Sequence, residues 1–359
     1  MKELMKKLQL HGRTVWDEEK QALFCNWTCS GFTVRFTGTS LKAKLTVMAD
    51  QIPSMPGFPP NPDYYPHIGV VADGETLENR QDILSDGWYD LWQGEAGEHT
   101  VRFVKVSENS RGKLGIQALE CDGEILEAPA VKKPTMEIIG DSITCGFGNE
   151  SSDNSPEFLC NEENGWMTYG ALAARELGYE WSQICVSGIS ASQPEHPMFP
   201  MPGMNDIYHL TDQLYDERRG VEPVKWDFEN HHTDIVVLNL GTNDVNPIRF
   251  APGFENTAAM EAWFQRRYGE FIADIRRLNG KDTFIVCTLG SMDYYLYDRI
   301  KAAVEEYKQA TGDEKICTFK FGGINMMTEG FGAMAHPSAK TQARMGRELA
   351  FRLRELVIK

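Results

Sequence analysis

The chain has 359 residues, 42% hydrophobic and 25% charged, with a net charge of -16 at pH 7 and a pI near 5.0. The composition is ordinary for a globular protein, and the length exceeds the usual single-domain range, so two domains are expected. This much negative charge repels polyanions, which excludes nucleic acid and anionic membrane surfaces as partners and suits an enzyme acting on neutral substrates.

The first residues, Met1-Lys2-Glu3-Leu4-Met5-Lys6-Lys7, carry charges with no apolar run behind them, so no secretory signal is expected. No stretch approaches the roughly 18 apolar residues of a membrane helix. Eight cysteines are present. Cys185, Cys287 and Cys317 fall in apolar runs that resemble buried strands, and Cys25/Cys29 lack the second pair or histidine of a zinc site. Eight reduced thiols and a cytoplasmic address are therefore expected.

To about residue 130 the pattern is strand-like. Phe32, Val34 and Phe36 alternate with polar residues, as do Leu41, Ala43, Leu45 and Val47, and later Leu114, Ile116 and Ala118. Such period-two runs, split by Gly, Asp and Asn, predict a β-sandwich over 1–130. The proline-rich stretch 51–65 predicts a long loop that either covers the active-site cleft or makes a contact between copies in a homo-oligomer. Beyond Glu127-Ala128-Pro129, short apolar runs at 136–139, 182–186, 234–240, 283–289 and 315–319 alternate with amphipathic stretches at 166–177, 258–278, 294–309 and 338–358. This predicts a three-layer α/β/α domain over 131–359 on a five-stranded parallel sheet. Sites in such sheets form at the carboxyl ends of the strands.

Four blocks fall there. Gly140-Asp141-Ser142 follows the first strand, placing a hydroxyl at the sheet edge, although a serine there is more often a helix cap. Gly188 follows the second strand and leaves a backbone N–H open to a ligand. Asn243, in Gly241-Thr242-Asn243-Asp244, offers a neutral amide donor suited to an oxyanion, or else satisfies its own turn. His336 precedes the last helix, with Ser338 as that helix's N-cap, and imidazole suits general-base work near neutral pH. One block alone is ambiguous; a nucleophile, oxyanion donors and a base on one sheet edge are not.

These blocks resemble the four signature blocks of the SGNH (GDSL-like) hydrolase superfamily, over residues 134–359. The longer string from Gly140 to Asn149, behind a β-rich domain, is similar to carbohydrate esterase family two, whose members join a jelly-roll domain to an SGNH domain and remove acetyl groups from plant polysaccharides. The resemblance implies Ser142 as nucleophile, His336 as base, and an oxyanion hole from the Ser142 and Gly188 N–H groups with the Asn243 amide. It implies no metal, nucleotide or other cofactor. The expected substrate is an acetylated xylan or mannan oligosaccharide. Competing readings are a short-chain lipid esterase or thioesterase of the same superfamily, and a carbohydrate-binding protein with a decayed hydrolase domain.

One departure stands out. The superfamily usually places an aspartate three residues before the histidine, where this chain has Ala333, and the nearest upstream carboxylate is Glu329. A catalytic dyad steadied by a backbone carbonyl from 332–335 is expected, a variant the resembling family contains; Glu329 and Asp293 are the alternatives.

Trp166, Tyr208 and Tyr295 are candidates to stack on sugar rings in the acceptor site, with core packing as the favoured competing use. His231-His232 beside Asp234 suggests a metal, but adjacent strand residues face opposite ways, so the solvated start of a strand is expected.

Overall fold

The structure, a computed structural model, describes residues 1–51, 62–128, 133–152, 154–194, 201–245 and 254–357. Most of the proline-rich loop, including Phe58, lies outside the described residues. Contacts divide the chain into two compact units. The first comprises Met1–Lys132, Phe158–Trp166 and Thr211–Val224; the second comprises Lys133–Glu157, Met167–Leu210 and Lys225–Lys359.

The first unit is antiparallel β. Among the described residues its strands are β1 (Gln9–His11), β2 (Val15–Asp17), β3 (Ala22–Phe24), β4 (Gly31–Met48), β5 (His67–Ala72), β6 (Glu78–Asp82), β7 (Gly87–Lys105), β8 (Lys113–Cys121) and β9 (Ile125–Leu126). They pair in the order β2-β3-β8-β4-β7-β5-β6, with β1 and β9 also on β4.

The two alternating runs around residues 32–47 are one strand. Phe32, Val34 and Phe36 are buried on even numbers, whereas Leu41, Ala43 and Leu45 are buried on odd ones, all in the same core. A register shift against β7 between Gly38 and Ser40 flips the phase, as a bulge does. The same device alters β8. A shift between Lys44 and Leu45 of β4 means that Leu119, not Ala118, follows Ile116 into the core.

Two excursions of the later chain complete this unit. Asp212 accepts hydrogen bonds from the amides of Asn26 at 2.7 Å and Asn109 at 2.9 Å. The Trp27 indole donates to the Thr211 carbonyl at 2.8 Å, and Tyr215 stacks on Phe24 at 4.4 Å between centroids. Paired amides let the buried Asp212 carboxyl keep partners after losing water, although burial still raises its pKa.

The second unit carries a five-stranded parallel sheet of β10 (Thr135–Gly140), β11 (Glu180–Cys185), β12 (Ile235–Asn239), β13 (Phe284–Leu289) and β14 (Ile316–Lys320). All five predicted strands are present within two residues of their expected limits. Their order is β11-β10-β12-β13-β14, with all four pairings parallel. Ile138, Ile139, Val236, Val237, Leu238, Ile285 and Val286 are buried, as strands covered on both faces require. The helices Tyr169–Leu177 and Ala339–Leu356 pack together, as do Thr257–Asn279 and Tyr297–Thr311. No described helix is long and apolar enough to cross a membrane. No disulfide links any of the eight cysteines, and Cys185 and Cys287 are buried strand residues.

In this order the connection from β10 runs to β11 on one side while that from the adjacent β12 runs to β13 on the other, so the chain leaves the carboxyl ends of β10 and β12 in opposite directions. That is the topological switch point where crevices open in such sheets. Ser142 stands two residues beyond the end of β10.

Candidate active site

The turn after β10 is set by hydrogen bonds from its own residues. Asp141 caps the helical turn Ser142–Cys145, its Oδ1 accepting from the Ile143 N–H at 3.0 Å. Gln342 of the last helix clamps the turn by donating to the Ile143 carbonyl at 2.8 Å while accepting from the Tyr169 N–H at 2.9 Å. Ser142 is 7% exposed, so its hydroxyl has little solvent to compete for it.

His336 meets that hydroxyl. Its Nε2 lies 2.9 Å from Ser142 Oγ, and its Nδ1 lies 3.1 Å from the carbonyl oxygens of both Ala333 and Met334. Carbonyl oxygens only accept, so the neutral ring carries its proton on Nδ1, and Nε2 accepts from Ser142. Phe147, which sequence reasoning passed over, tilts its ring over the imidazole at 4.4 Å between centroids. Ser338 caps the following helix, accepting from the Thr341 N–H at 3.3 Å.

The two alternative carboxylates are engaged elsewhere. Glu329 accepts from Arg344 Nε at 2.6 Å, Thr341 Oγ1 at 3.0 Å and the Asn325 N–H at 3.0 Å. Burial opposes its charge, but these donors outweigh burial and hold it below the usual carboxylate range. Asp293 accepts from the Tyr295 N–H at 2.7 Å. Ala333 itself is fully buried. A Cβ added to Gly148 would stand 2.4 Å from the Ala333 Cβ, so glycine is what permits this close approach.

Gly188 has φ +84°, a left-handed backbone that favours glycine, and a Cβ there would meet nothing within 4 Å. The space on the side a Cβ would occupy is open. Asn243 donates from Nδ2 to the Ile189 carbonyl at 3.0 Å and, more weakly, to Asp141 Oδ2 at 3.3 Å. Neighbouring Asp244 is buried and accepts from the Ala191 N–H at 2.9 Å and the Ser192 N–H at 3.2 Å, tying down the loop that follows Gly188.

Burial pushes the Asp244 carboxyl up to about 7, against those two N–H bonds, from an ordinary value of 3.8. Between these values the folded protein holds a proton that the unfolded chain has lost. This contribution to stability is complete below the unfolded value and is lost as pH rises to the folded one. Asp244→Asn should lower overall stability by about 1–3 kcal/mol, because an amide cannot accept from both N–H groups. The variant should also show a smaller fall in Tm between pH 5 and pH 8 than the parent. Parallel Tm profiles for the two proteins would contradict this.

The aromatic candidates fall in different places. Tyr208 is buried, its hydroxyl donating to Glu137 Oε1 at 2.6 Å. Glu137 lies within β10, about 10 Å along the strand from its last residue, Gly140, so the Tyr208 hydroxyl is held within the sheet and not at its carboxyl end beside Ser142. Trp166 belongs to the first unit, within a short 3-10 turn, Gly165–Met167, and not in the helix that was expected to begin there. Its indole donates to the Glu75 carbonyl at 3.1 Å. Tyr295, in the loop after β13, is 42% exposed and donates to Glu261 Oε1 at 2.6 Å. His232 and Asp234 lie 3.3 Å apart with exposed side chains at the start of β12, the opposite end of the sheet from Ser142.

Comparison with known proteins identifies the family and the fold. The GDSL-like Lipase/Acylhydrolase family matches residues 138–350, and the Carbohydrate esterase 2 N-terminal family matches residues 10–129. Cellulase/esterase CelE of Acetivibrio thermocellus is 31% identical over 90% of this chain, and an acetylxylan esterase / glucomannan deacetylase of Cellvibrio japonicus is 28% identical over 73% of it. The chain spans 36% of the length of the first relative and 68% of the second. A family two carbohydrate esterase from Clostridium thermocellum, solved in complex with cellohexaose, superposes with a TM-score of 0.81 at 25% identity, covering 97% of this chain and 98% of that one. An acetyl xylan esterase from Butyrivibrio proteoclasticus shares the fold, with a TM-score of 0.80 at 21% identity over 98% and 95% of the two chains. The chain belongs to the GDSL-like lipase/acylhydrolase family, in the lineage of the family two carbohydrate esterases.

Proposed function

We propose that this chain is a serine esterase that removes O-acetyl groups from acetylated xylan- or mannan-derived oligosaccharides. The observation that carries the proposal is the line running from the Ser142 hydroxyl through His336 to two backbone carbonyls, at 2.9 Å and 3.1 Å. The relatives that act on acetylated xylan and glucomannan support the substrate class.

Ser142 Oγ attacks the acetyl carbonyl carbon while His336 Nε2 takes its proton. The negative oxygen that forms is met by the Ser142 and Gly188 N–H groups and by Asn243. The Asn243 hydrogen now spent on the long contact to Asp141 is the one free to turn to it. Collapse breaks the bond to the sugar oxygen, which leaves with the proton from His336. Water, deprotonated in turn by His336, then attacks the acetyl-enzyme, releasing acetate and restoring Ser142.

The proposal extends to a jelly-roll domain over 1–130, a catalytic domain over 131–359 and work inside the cell on imported oligosaccharides, the last supported by cysteine usage. A 4-nitrophenyl ester series separates this reading from a lipid esterase or thioesterase. The acetate should be turned over far faster than the butyrate or octanoate, and a preference for octanoate would end the carbohydrate reading.

A further inference from the structure

We infer that Asn154 is a positioning residue for His336. It supplies from a neighbouring loop the support that an aspartate at position 333 would otherwise give. The inference rests on the Ser142–His336 reading above.

The two carbonyls that face His336 Nδ1 belong to consecutive residues, Ala333 and Met334. Successive carbonyls of an extended strand point to opposite sides, so their convergence on one nitrogen needs unusual backbone. That backbone is present. Met334 has φ 49° and ψ 45°, and Ala335 has φ 60°, two consecutive non-glycine residues in the left-handed region. Side chains with a Cβ disfavour this conformation, so it persists only where its surroundings hold it.

Three N–H groups of this segment are held by the loop after the nucleophile turn. The Ala333 N–H donates to the Gly148 carbonyl at 2.9 Å, and the Met334 N–H to the Ser155 carbonyl at 2.8 Å. The Ala335 N–H donates to Asn154 Oδ1 at 2.6 Å. The last of these is made by a side chain, at the second of the two left-handed residues. Asn154 itself has φ 54°, a conformation that asparagine tolerates better than most residues. Gly148 of the same loop packs closely against the fully buried Ala333, which ties this loop to the segment that carries His336.

Asn154 and Ala335 are both exposed, so substitution at Asn154 should leave folding intact. Asn154→Gly keeps the left-handed backbone open and removes the acceptor, whereas Asn154→Asp keeps an acceptor oxygen in the same place. With 4-nitrophenyl acetate, Asn154→Gly should lower kcat roughly 10- to 100-fold, the scale of a misplaced catalytic group. KM should stay within about threefold, since the contact acts on the base and not on substrate binding. Asn154→Asp should recover most of kcat.

A kcat for Asn154→Gly within threefold of the parent, a change confined to KM, or an Asp variant as impaired as the Gly variant would each overturn the inference. Circular dichroism melts normalise the rates to folded protein, and Asn154→Ala supplies the same comparison if the Gly variant melts early. Ser142→Ala in the same assay separates the two levels. A fully active Ser142→Ala protein sinks the Ser–His reading, whereas an inactive one beside a fully active Asn154→Gly protein sinks only the role of Asn154.

Discussion

Ser142→Ala and His336→Ala are each expected to lower kcat on acetyl esters by about 10⁴- to 10⁶-fold, and the double variant should be scarcely worse than either alone. In the proposed mechanism the hydroxyl and the imidazole act as one unit. Without the base, Ser142 Oγ cannot shed its proton on attack; without the hydroxyl, His336 has no nucleophile to activate. Their 2.9 Å separation is already within working range, so no rearrangement is needed before proton transfer. KM should move little in either variant. By contrast, Glu329→Ala and Asp293→Ala should each cost less than tenfold in kcat, because Glu329 is bound to Arg344 and Asp293 to the Tyr295 N–H. Either carboxylate variant falling as far as Ser142→Ala would replace the dyad with a triad.

Asn243→Ala is expected to cost about 10²- to 10³-fold in kcat, the usual effect of removing one oxyanion donor. Its two hydrogen bonds show what the amide would give up on binding an oxyanion in the proposed hole. One of its hydrogens is spent on the Ile189 carbonyl at 3.0 Å, and the other on a weaker 3.3 Å contact with Asp141 that an oxyanion can displace. Asn243→Asp should be at least as damaging, since it sets a carboxylate beside Asp141 and against the developing negative charge. Steady-state kinetics with 4-nitrophenyl acetate measure both. An unchanged kcat in Asn243→Ala would remove the side chain from the hole.

The sheet was legible because each parallel strand is a short apolar run between polar helices. The four blocks were legible because the carboxyl ends of such strands are where chemistry collects. The β4 strand was harder. Its alternation changes parity between Phe36 and Leu41, which resembles a turn between two strands in sequence, whereas the chain absorbs the change in a bulge at Gly38–Ser40. The segments Phe158–Trp166 and Thr211–Val224 gave no sign of packing with the first unit, because their anchors, Asp212, Tyr215 and Glu163, are polar residues whose partners lie far away in sequence.

At the site, sequence showed the vacancy at Ala333 and pointed to a backbone carbonyl from 332–335, but not that two carbonyls, those of Ala333 and Met334, converge on His336. Carbonyl direction depends on φ and ψ, and no residue type marks Met334 and Ala335 as left-handed. Phe147 over His336 was equally silent, since an aromatic between two glycines resembles any other loop residue. Asp244 adjoins a residue already singled out, yet its role lies in a loop some fifty positions away, holding the N–H groups of Ala191 and Ser192.

The central claim is that Ser142 and His336 deacetylate a saccharide. Acetate release from acetylated xylo- and manno-oligosaccharides, followed with positional readout in the parent and in Ser142→Ala, tests it most directly. Rapid loss of acetyl groups from specific sugar hydroxyls by the parent, and none above background by Ser142→Ala, is the expected result. Acetate release that survives in Ser142→Ala, or a parent that hydrolyses 4-nitrophenyl acetate but leaves the oligosaccharides acetylated, would contradict it.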